Sequence, residues 1–209
     1  MSSIPKITAE IVQKKNLTPE LWILWLKPSQ KFEWQPGQYC TLGFEGTERP
    51  YSICSAPSEG IVELFLEVVP ENLKTERSLT PKLLELDVGT HIEMRAHAKG
   101  RFLVDKTCTT RVMVATVTGI APFISMIRAH MEGYYGECKK PFYIFQGVSY
   151  MDEFGYEEEL KRYHAKGKVY YVPTVSRPQE PRNKAWRGEI GRVNEILDRY
   201  FKKLAIQPI

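Results

Sequence analysis

The sequence predicts two domains: an antiparallel β-barrel over residues 1–105, then an α/β domain with a parallel sheet over residues 106–209. Three observations predict this. The first half is a series of short β-rich runs cut by Pro, Gly and Asn at near-regular spacing, as in a small barrel. After Asp105 the rhythm changes to alternating strand and helix runs, the pattern of a parallel α/β sheet. A chain of 209 residues also has room for two domains of about 100 each.

In order, strands are expected over Lys6–Lys15, Leu21–Lys27, Gln38–Phe44, Arg49–Ser55, Ile61–Val69 and His91–Ala96. The stretch Ile61–Val69 partly alternates apolar with polar, as a strand with one wet face does. One helix interrupts the series. Thr80 is read as its N-cap, Pro81 as its first helical residue and Gly89 as its close. Beyond a boundary near Lys106-Thr107, strands are expected over Arg111–Thr116, Pro141–Gln146 and Val169–Val175. Helices are expected over Pro122–Met131, Asp152–His164 and Glu189–Lys203.

Composition narrows the function classes. At 43% hydrophobic and 26% charged residues, neither a disordered nor a fibrous chain is favoured. No apolar run approaches the roughly 20 residues of a membrane span. The N-terminus lacks the apolar core of a signal peptide, so a cytoplasmic location is expected. Cys40, Cys54, Cys108 and Cys138 form no C-x-x-C pair and the histidines are scattered, which argues against a metal site. A net charge of +4 is too modest to imply nucleic acid. Trp22, Trp25, Trp34 and Trp186 carry no site signature.

Arg49-Pro50-Tyr51-Ser52-Ile53-Cys54-Ser55 concentrates the most chemistry. Arg49 brings a permanent planar charge suited to phosphate, Tyr51 a flat ring with a polar tip, and Ser52 and Ser55 small hydroxyls. On an extended segment Arg49 and Tyr51 share one face. Taken alone, the stretch reads equally as a plain sheet strand ending in a Ser/Pro turn or as a strip for a ligand with a phosphate and an aromatic ring.

Arg49-x-Tyr51-Ser52-x-x-Ser55 resembles the flavin-binding motif of the ferredoxin–NADP reductase family. Pro36-Gly37-Gln38-Tyr39 is similar to that family's turn into the preceding strand, and Gly119-Ile120-Ala121-Pro122-Phe123 to its nucleotide-binding turn. Lys99-Gly100-Arg101-Phe102 resembles its Gly-x-Phe turn and is assigned to packing. The first three of these motifs stand in the family's order, and the resemblance runs from about Ile7 to near the C-terminus.

That resemblance implies a flavin-binding barrel and an NAD(P)-binding α/β domain. Arg49 would hold a flavin phosphate, Tyr51 would pack on the ring, and Ser52 would bond the reactive nitrogen N5, making Tyr51 and Ser52 the catalytic pair. Ile53 and Ser55 complete that strip. Ser78, Leu79 and Thr80, at a helix start, would receive the flavin pyrophosphate, which favours FAD over FMN. The implied nucleotide site comprises Thr116, Thr118, Gly119, Ser176, Arg177 and Arg192, with NADP expected and NAD possible. Arg182 and Arg187 add basic charge nearby; the bland reading pairs these loop arginines with Glu180 and Glu189.

Three departures from the family matter. Val117 stands where relatives usually have Gly, so a β-branched residue resists positive φ and adds bulk on the nucleotide's path. Ser149 stands where some relatives have a third phosphate-binding arginine. Relatives also continue into a further parallel strand and helix where this sequence has Ala205–Ile209, so a shortened second domain is expected.

The function expected from the resemblance is hydride transfer from NADPH to FAD, then single-electron delivery to a ferredoxin, flavodoxin or oxygenase component. The alternative is a non-enzymatic flavin-bearing electron-transfer subunit of a larger complex. A structural β-barrel without cofactor is the third. Turnover of NADPH with an artificial acceptor separates the first two, and a protein that gains no flavin spectrum on adding FAD selects the third.

Overall fold

The structure is a computed structural model that describes residues 5–68, 72, 75, 78–105, 110–136 and 141–205. The expected boundary at Lys106-Thr107, together with Val69, Cys108, Cys138 and Ile206–Ile209, lies outside the described residues. By contacts the chain groups into two compact units: Met1–Val104 with Ala121–Tyr134, and Asp105–Ile120 with Tyr135–Ile209.

The first unit is a six-stranded antiparallel sheet of β1 (Lys6–Asn16), β2 (Leu21–Pro28), β3 (Tyr39–Phe44), β4 (Thr47–Ser52), β5 (Val62–Glu67) and β6 (His91–Arg95). Its order is β4-β3-β6-β1-β2-β5. Just past β4, Ile53 bridges to Leu64 of β5 and the Cys54 amide donates to the Glu63 carbonyl at 2.7 Å, so the sheet curls nearly closed. The expected antiparallel barrel is present. Alternation explains the interior: Ile7, Ala9 and Ile11 of β1 face inward, beside Leu24, Leu26, Leu42, Leu64, Ile92 and Met94.

Helix α1 (Leu79–Glu85) inserts Leu79 and Leu83 into that core. It differs from expectation at both ends. Ser78, not Thr80, occupies the N-cap position, and the helix ends at Leu86 rather than Gly89. Starting two residues earlier buries Leu79 and turns the Thr80 hydroxyl toward Tyr51 (3.1 Å), a tertiary contact that capping would forfeit. Gly89, at φ 93°, instead turns the chain so that its amide reaches the Ile11 carbonyl.

Helix α2 (Ala121–Met131) also groups with the first unit. Its buried Ser125 hydroxyl donates to the Ser55 carbonyl at 2.7 Å. Its Arg128 donates to the Glu63 carboxylate at 2.8 Å, with those side chains 16% and 5% exposed. The indole of Trp25 donates to the same carboxylate at 3.1 Å.

Cys40 and Cys54 are fully buried. Burial pushes the Cys40 thiol up from its ordinary 9.0 to about 12. Ionisation is therefore suppressed in the fold and allowed in the unfolded chain. The stability this confers is fully present below pH 9.0 and is lost as pH rises toward about 12. Cys40 is expected to resist iodoacetamide at pH 8 in native protein and to react after urea unfolding, as read by peptide mass spectrometry.

The second unit is a parallel sheet of β7 (Arg111–Thr116), β8 (Phe142–Val148), β9 (Val169–Val175) and β10 (Glu189–Ile190), in the order β10-β9-β8-β7. Two helices of this unit, α3 (Glu157–Ala165) and α4 (Val193–Leu204), are shorter than expected. Gly155 at φ 73° separates α3 from a 3₁₀ turn at Met151–Glu153. At α4, Glu189 and Ile190 first pair in parallel with Thr174 and Val175, and Gly191 at φ 115° turns the chain into the helix. Sheet pairing thus overrides the helical reading of Glu189 to Arg192. Val193, Ile196 and Tyr200 of α4 pack on Phe145 and Val172.

Candidate functional sites

In the first unit the strip Arg49 to Ser55 splits into two roles. Arg49 and Ser52 are exposed on β4. The Arg49 guanidinium donates to the Glu48 carbonyl at 2.7 Å and has no carboxylate partner among the described residues. The Ser52 hydroxyl has no hydrogen-bond partner among them either. Tyr51 is half-buried against the barrel core, held by the Thr80 hydroxyl. Burial pushes its phenol up, partly offset by the Thr80 bond, so it stays neutral at ordinary pH.

The remaining members of the strip face inward. Ile53 and Leu79 are core residues. The buried Ser55 hydroxyl accepts the Glu63 amide at 3.0 Å, while its carbonyl accepts the Trp34 indole at 3.2 Å and the Ser125 hydroxyl. The Ser78 hydroxyl accepts the Thr75 amide at 3.0 Å. The structure therefore brings Tyr51 and Thr80 together and leaves Arg49 and Ser52 open to a ligand.

In the second unit a cavity of about 450 Å³ opens at the carboxyl ends of β7, β8 and β9. Thr116, Val117, Gly147, Ser149, Ser176, Arg177, Gly191, Arg192 and Asn194 contribute to its lining. Two arginines and two serines line it without a single carboxylate, which suits an anion. Carboxyl ends of parallel strands are the usual ligand position in such sheets. Of the expected nucleotide residues, Thr116, Ser176, Arg177 and Arg192 line this cavity. Thr118 and Gly119 lie in the adjoining 3₁₀ turn, Val117–Ile120, outside its lining.

Local geometry explains how these groups converge. A Cβ on Gly147 would sit 2.9 Å from Val193 Cβ, so only glycine lets the start of α4 approach the end of β8 this closely. The Arg192 amide donates to Glu195 at 3.0 Å, which sets the helix entry. The Glu153 carboxylate accepts the Ser149 and Tyr150 amides at 2.9 and 3.0 Å. Arg177 donates to the Tyr150 hydroxyl at 2.9 Å, and Arg182 lies over the Tyr150 ring at 3.9 Å.

The loop arginines do not take the bland pairing. Arg182 forms two bonds to Asp152, at 2.7 and 3.2 Å. Arg187 donates to the carbonyls of Lys184 and Trp186. Glu189 accepts from Arg199 and Tyr200 instead. Sheet pairing of Glu189 carries its side chain toward α4, away from Arg187.

Val117 adopts φ 42°, the left-handed region expected of the glycine it replaces. For a β-branched residue this costs on the order of 1–3 kcal/mol and persists because surrounding packing holds it. Here the side chain packs beside Val148, Phe154 and Val175.

Gly147, Tyr150, Asn183 and Asn194 escape sequence reading. Only the Gly-x-x-Tyr spacing of a strand end hints at any of them; their partners are distant in sequence. Among the described residues no group of three or more metal-ligating side chains occurs, and no helix is long and apolar enough to cross a membrane.

Residues 113–207 match the oxidoreductase NAD-binding domain family. Over 201 residues the chain is 30% identical to the phenol hydroxylase P5 protein of Acinetobacter pittii, covering 93% of this chain and 54% of that one. It is 24% identical over 204 residues to the protein RfbI of Salmonella typhimurium, covering 98% and 56%. The chain thus spans about half the length of the curated relatives it matches. Among solved structures, a ferredoxin NADP+ reductase from Neisseria gonorrhoeae with bound FAD and NADP superimposes with a TM-score of 0.79. That match has 22% identity and covers 98% of this chain and 81% of the other. In fold the chain is similar to that reductase, with an antiparallel barrel followed by a parallel-sheet domain as expected.

Proposed function

We propose that this chain, with its oxidoreductase NAD-binding domain and ferredoxin–NADP reductase fold, is a flavin-dependent reductase that takes hydride from NADPH onto FAD. Electrons then leave singly to a ferredoxin, flavodoxin or oxygenase component. The observation that carries this reading is the carboxylate-free cavity in which Arg177, Arg192, Ser149 and Ser176 converge at three strand ends.

The residues fit the groups they would hold. Arg49, exposed and without a carboxylate partner, would bind a flavin phosphate. Tyr51, fixed by Thr80, presents a ring whose orientation is set before any ligand arrives. Ser52 would hold a hydrogen bond at the reactive nitrogen, and Ser78, Leu79 and Thr80 would offer amides at the start of α1. Arg177 and Arg192 would orient the nucleotide through its phosphates. Bound flavin supplies two-electron acceptance from a hydride donor and one-electron release. The chain's own contribution is positioning rather than acid–base chemistry.

A second reading, a flavin-bearing electron-transfer subunit without turnover, is favoured by one observation: Val117 places a strained, branched side chain in the cavity lining. Val117→Gly is expected to tighten NADPH binding several-fold, about 1 kcal/mol, by removing bulk from the cavity lining. Unchanged affinity and unchanged flavin reduction rate overturn that role. The reductase reading is tested by anaerobic titration of the flavin-loaded protein with NADPH, then NADH. Bleaching of the flavin band by NADPH supports it; a clear NADH preference overturns the NADP assignment, and no bleaching by either selects the carrier.

A further inference from the structure

Two parts of the cavity lining share no sequence neighbourhood: Ser149, which opens the Ser149–Met151 loop after β8, and Ser176–Arg177 after β9. One buried side chain joins them. Asn183 is 3% exposed, and its amide nitrogen donates to the Ser149 carbonyl at 2.8 Å and to the Arg177 carbonyl at 2.8 Å. Its Oδ1 accepts the Met151 amide at 2.8 Å. Only this orientation matches two donors to two carbonyls and one acceptor to one amide, so the carboxamide is committed at all three points. Its own backbone is held as well, by the Glu180 carbonyl and the Trp186 amide, both at 2.9 Å.

Ser149 and Arg177 both line the cavity, while Asn183 does not. We propose that Asn183 is the positioning residue of the anion site: its carboxamide sets the separation between the Ser149 and Arg177 backbones, and thereby the cavity's selectivity for a nucleotide carrying an extra phosphate. This rests on the reading of the cavity as a nucleotide site. Arg177 is exposed and leans on Tyr150 in the middle of the same Ser149–Met151 loop, so the two loops and the ring form one frame closed by Asn183. Asn183→Asp keeps the size but turns a donor into a carboxylate facing two carbonyl oxygens, which drives the loops apart. Asn183→Ser removes the span altogether.

The test uses the full chain and calorimetric titration with adenosine 2′,5′-bisphosphate and with adenosine 5′-monophosphate, alongside thermal melting. Expected is a loss of about tenfold or more in bisphosphate affinity for both variants, with a clearly smaller loss for the monophosphate. A residue with a purely structural role would weaken both ligands alike or lower only the melting temperature, and either result overturns the proposal. Folded variants that bind the bisphosphate as the parent does also overturn it, leaving the cavity reading intact. A parent chain that binds neither nucleotide instead overturns the cavity reading itself. If Asn183→Asp does not fold, Asn183→Ser is read in its place; if neither folds, Asn183 is a folding residue and the proposal fails.

Discussion

Arg128→Met is expected to destabilise the first unit by about 3 kcal/mol or more in urea denaturation, because it leaves a buried carboxylate without its guanidinium. Glu63 is 4% exposed, and Arg128 reaches it at 2.8 Å and 3.4 Å through two nitrogens. Taking both ions out of water is costly, so the pair itself adds little net stability over a packed apolar pair. Removing one partner is different, since the desolvation cost of the survivor remains while its compensation is gone. The double variant Glu63→Gln/Arg128→Met is therefore expected to be more stable than Arg128→Met alone, with a coupling of at least about 1 kcal/mol in the double-mutant cycle. Additive losses would mean that the two side chains act independently. Trp25→Phe, which removes the indole donor from the same carboxylate, is expected to cost less, about 1 kcal/mol, since a neutral donor is lost.

Arg177→Gln is expected to weaken NADPH binding by at least about tenfold, roughly 1.5–3 kcal/mol, while changing NADH binding little. The cavity holds no carboxylate that the lost charge would leave unbalanced, so the effect falls on the ligand's phosphate rather than on folding. Arg182, though close, is already engaged by Asp152 and does not substitute for it. Salt should sharpen the distinction. NADPH affinity of the parent chain falls with ionic strength, and in Arg177→Gln that slope is shallower. Equal losses for both dinucleotides would place the role of Arg177 in holding Tyr150 rather than in reading a phosphate.

Much of this molecule is legible in its residues because strands and helices announce themselves through short-range period. The expected runs Arg111–Thr116 and Val169–Val175 coincide with β7 and β9. Errors arise where tertiary pairing competes with local propensity. Glu189 to Arg192 reads as helix, yet parallel pairing with β9 captures Glu189 and Ile190 first. Asp152 to Gly155 reads as the start of α3, but Glu153 turns back to the Ser149 and Tyr150 amides and Gly155 breaks the run. Thr80 has the chemistry of an N-cap, and it spends its hydroxyl on Tyr51, 29 positions away.

The sequence by itself determined the two-domain class, most of the strands and the residue types able to meet phosphate and ring. Those depend on periodicity and side-chain chemistry, both of which are local. Only the tertiary structure decided that Val117 sits at φ 42°, that Glu63 meets Arg128 across 65 positions and that Asn183 ties Ser149 across 34. Such contacts leave no period in the chain, because a hydrogen bond senses distance and angle in space and is blind to the number of residues between its ends.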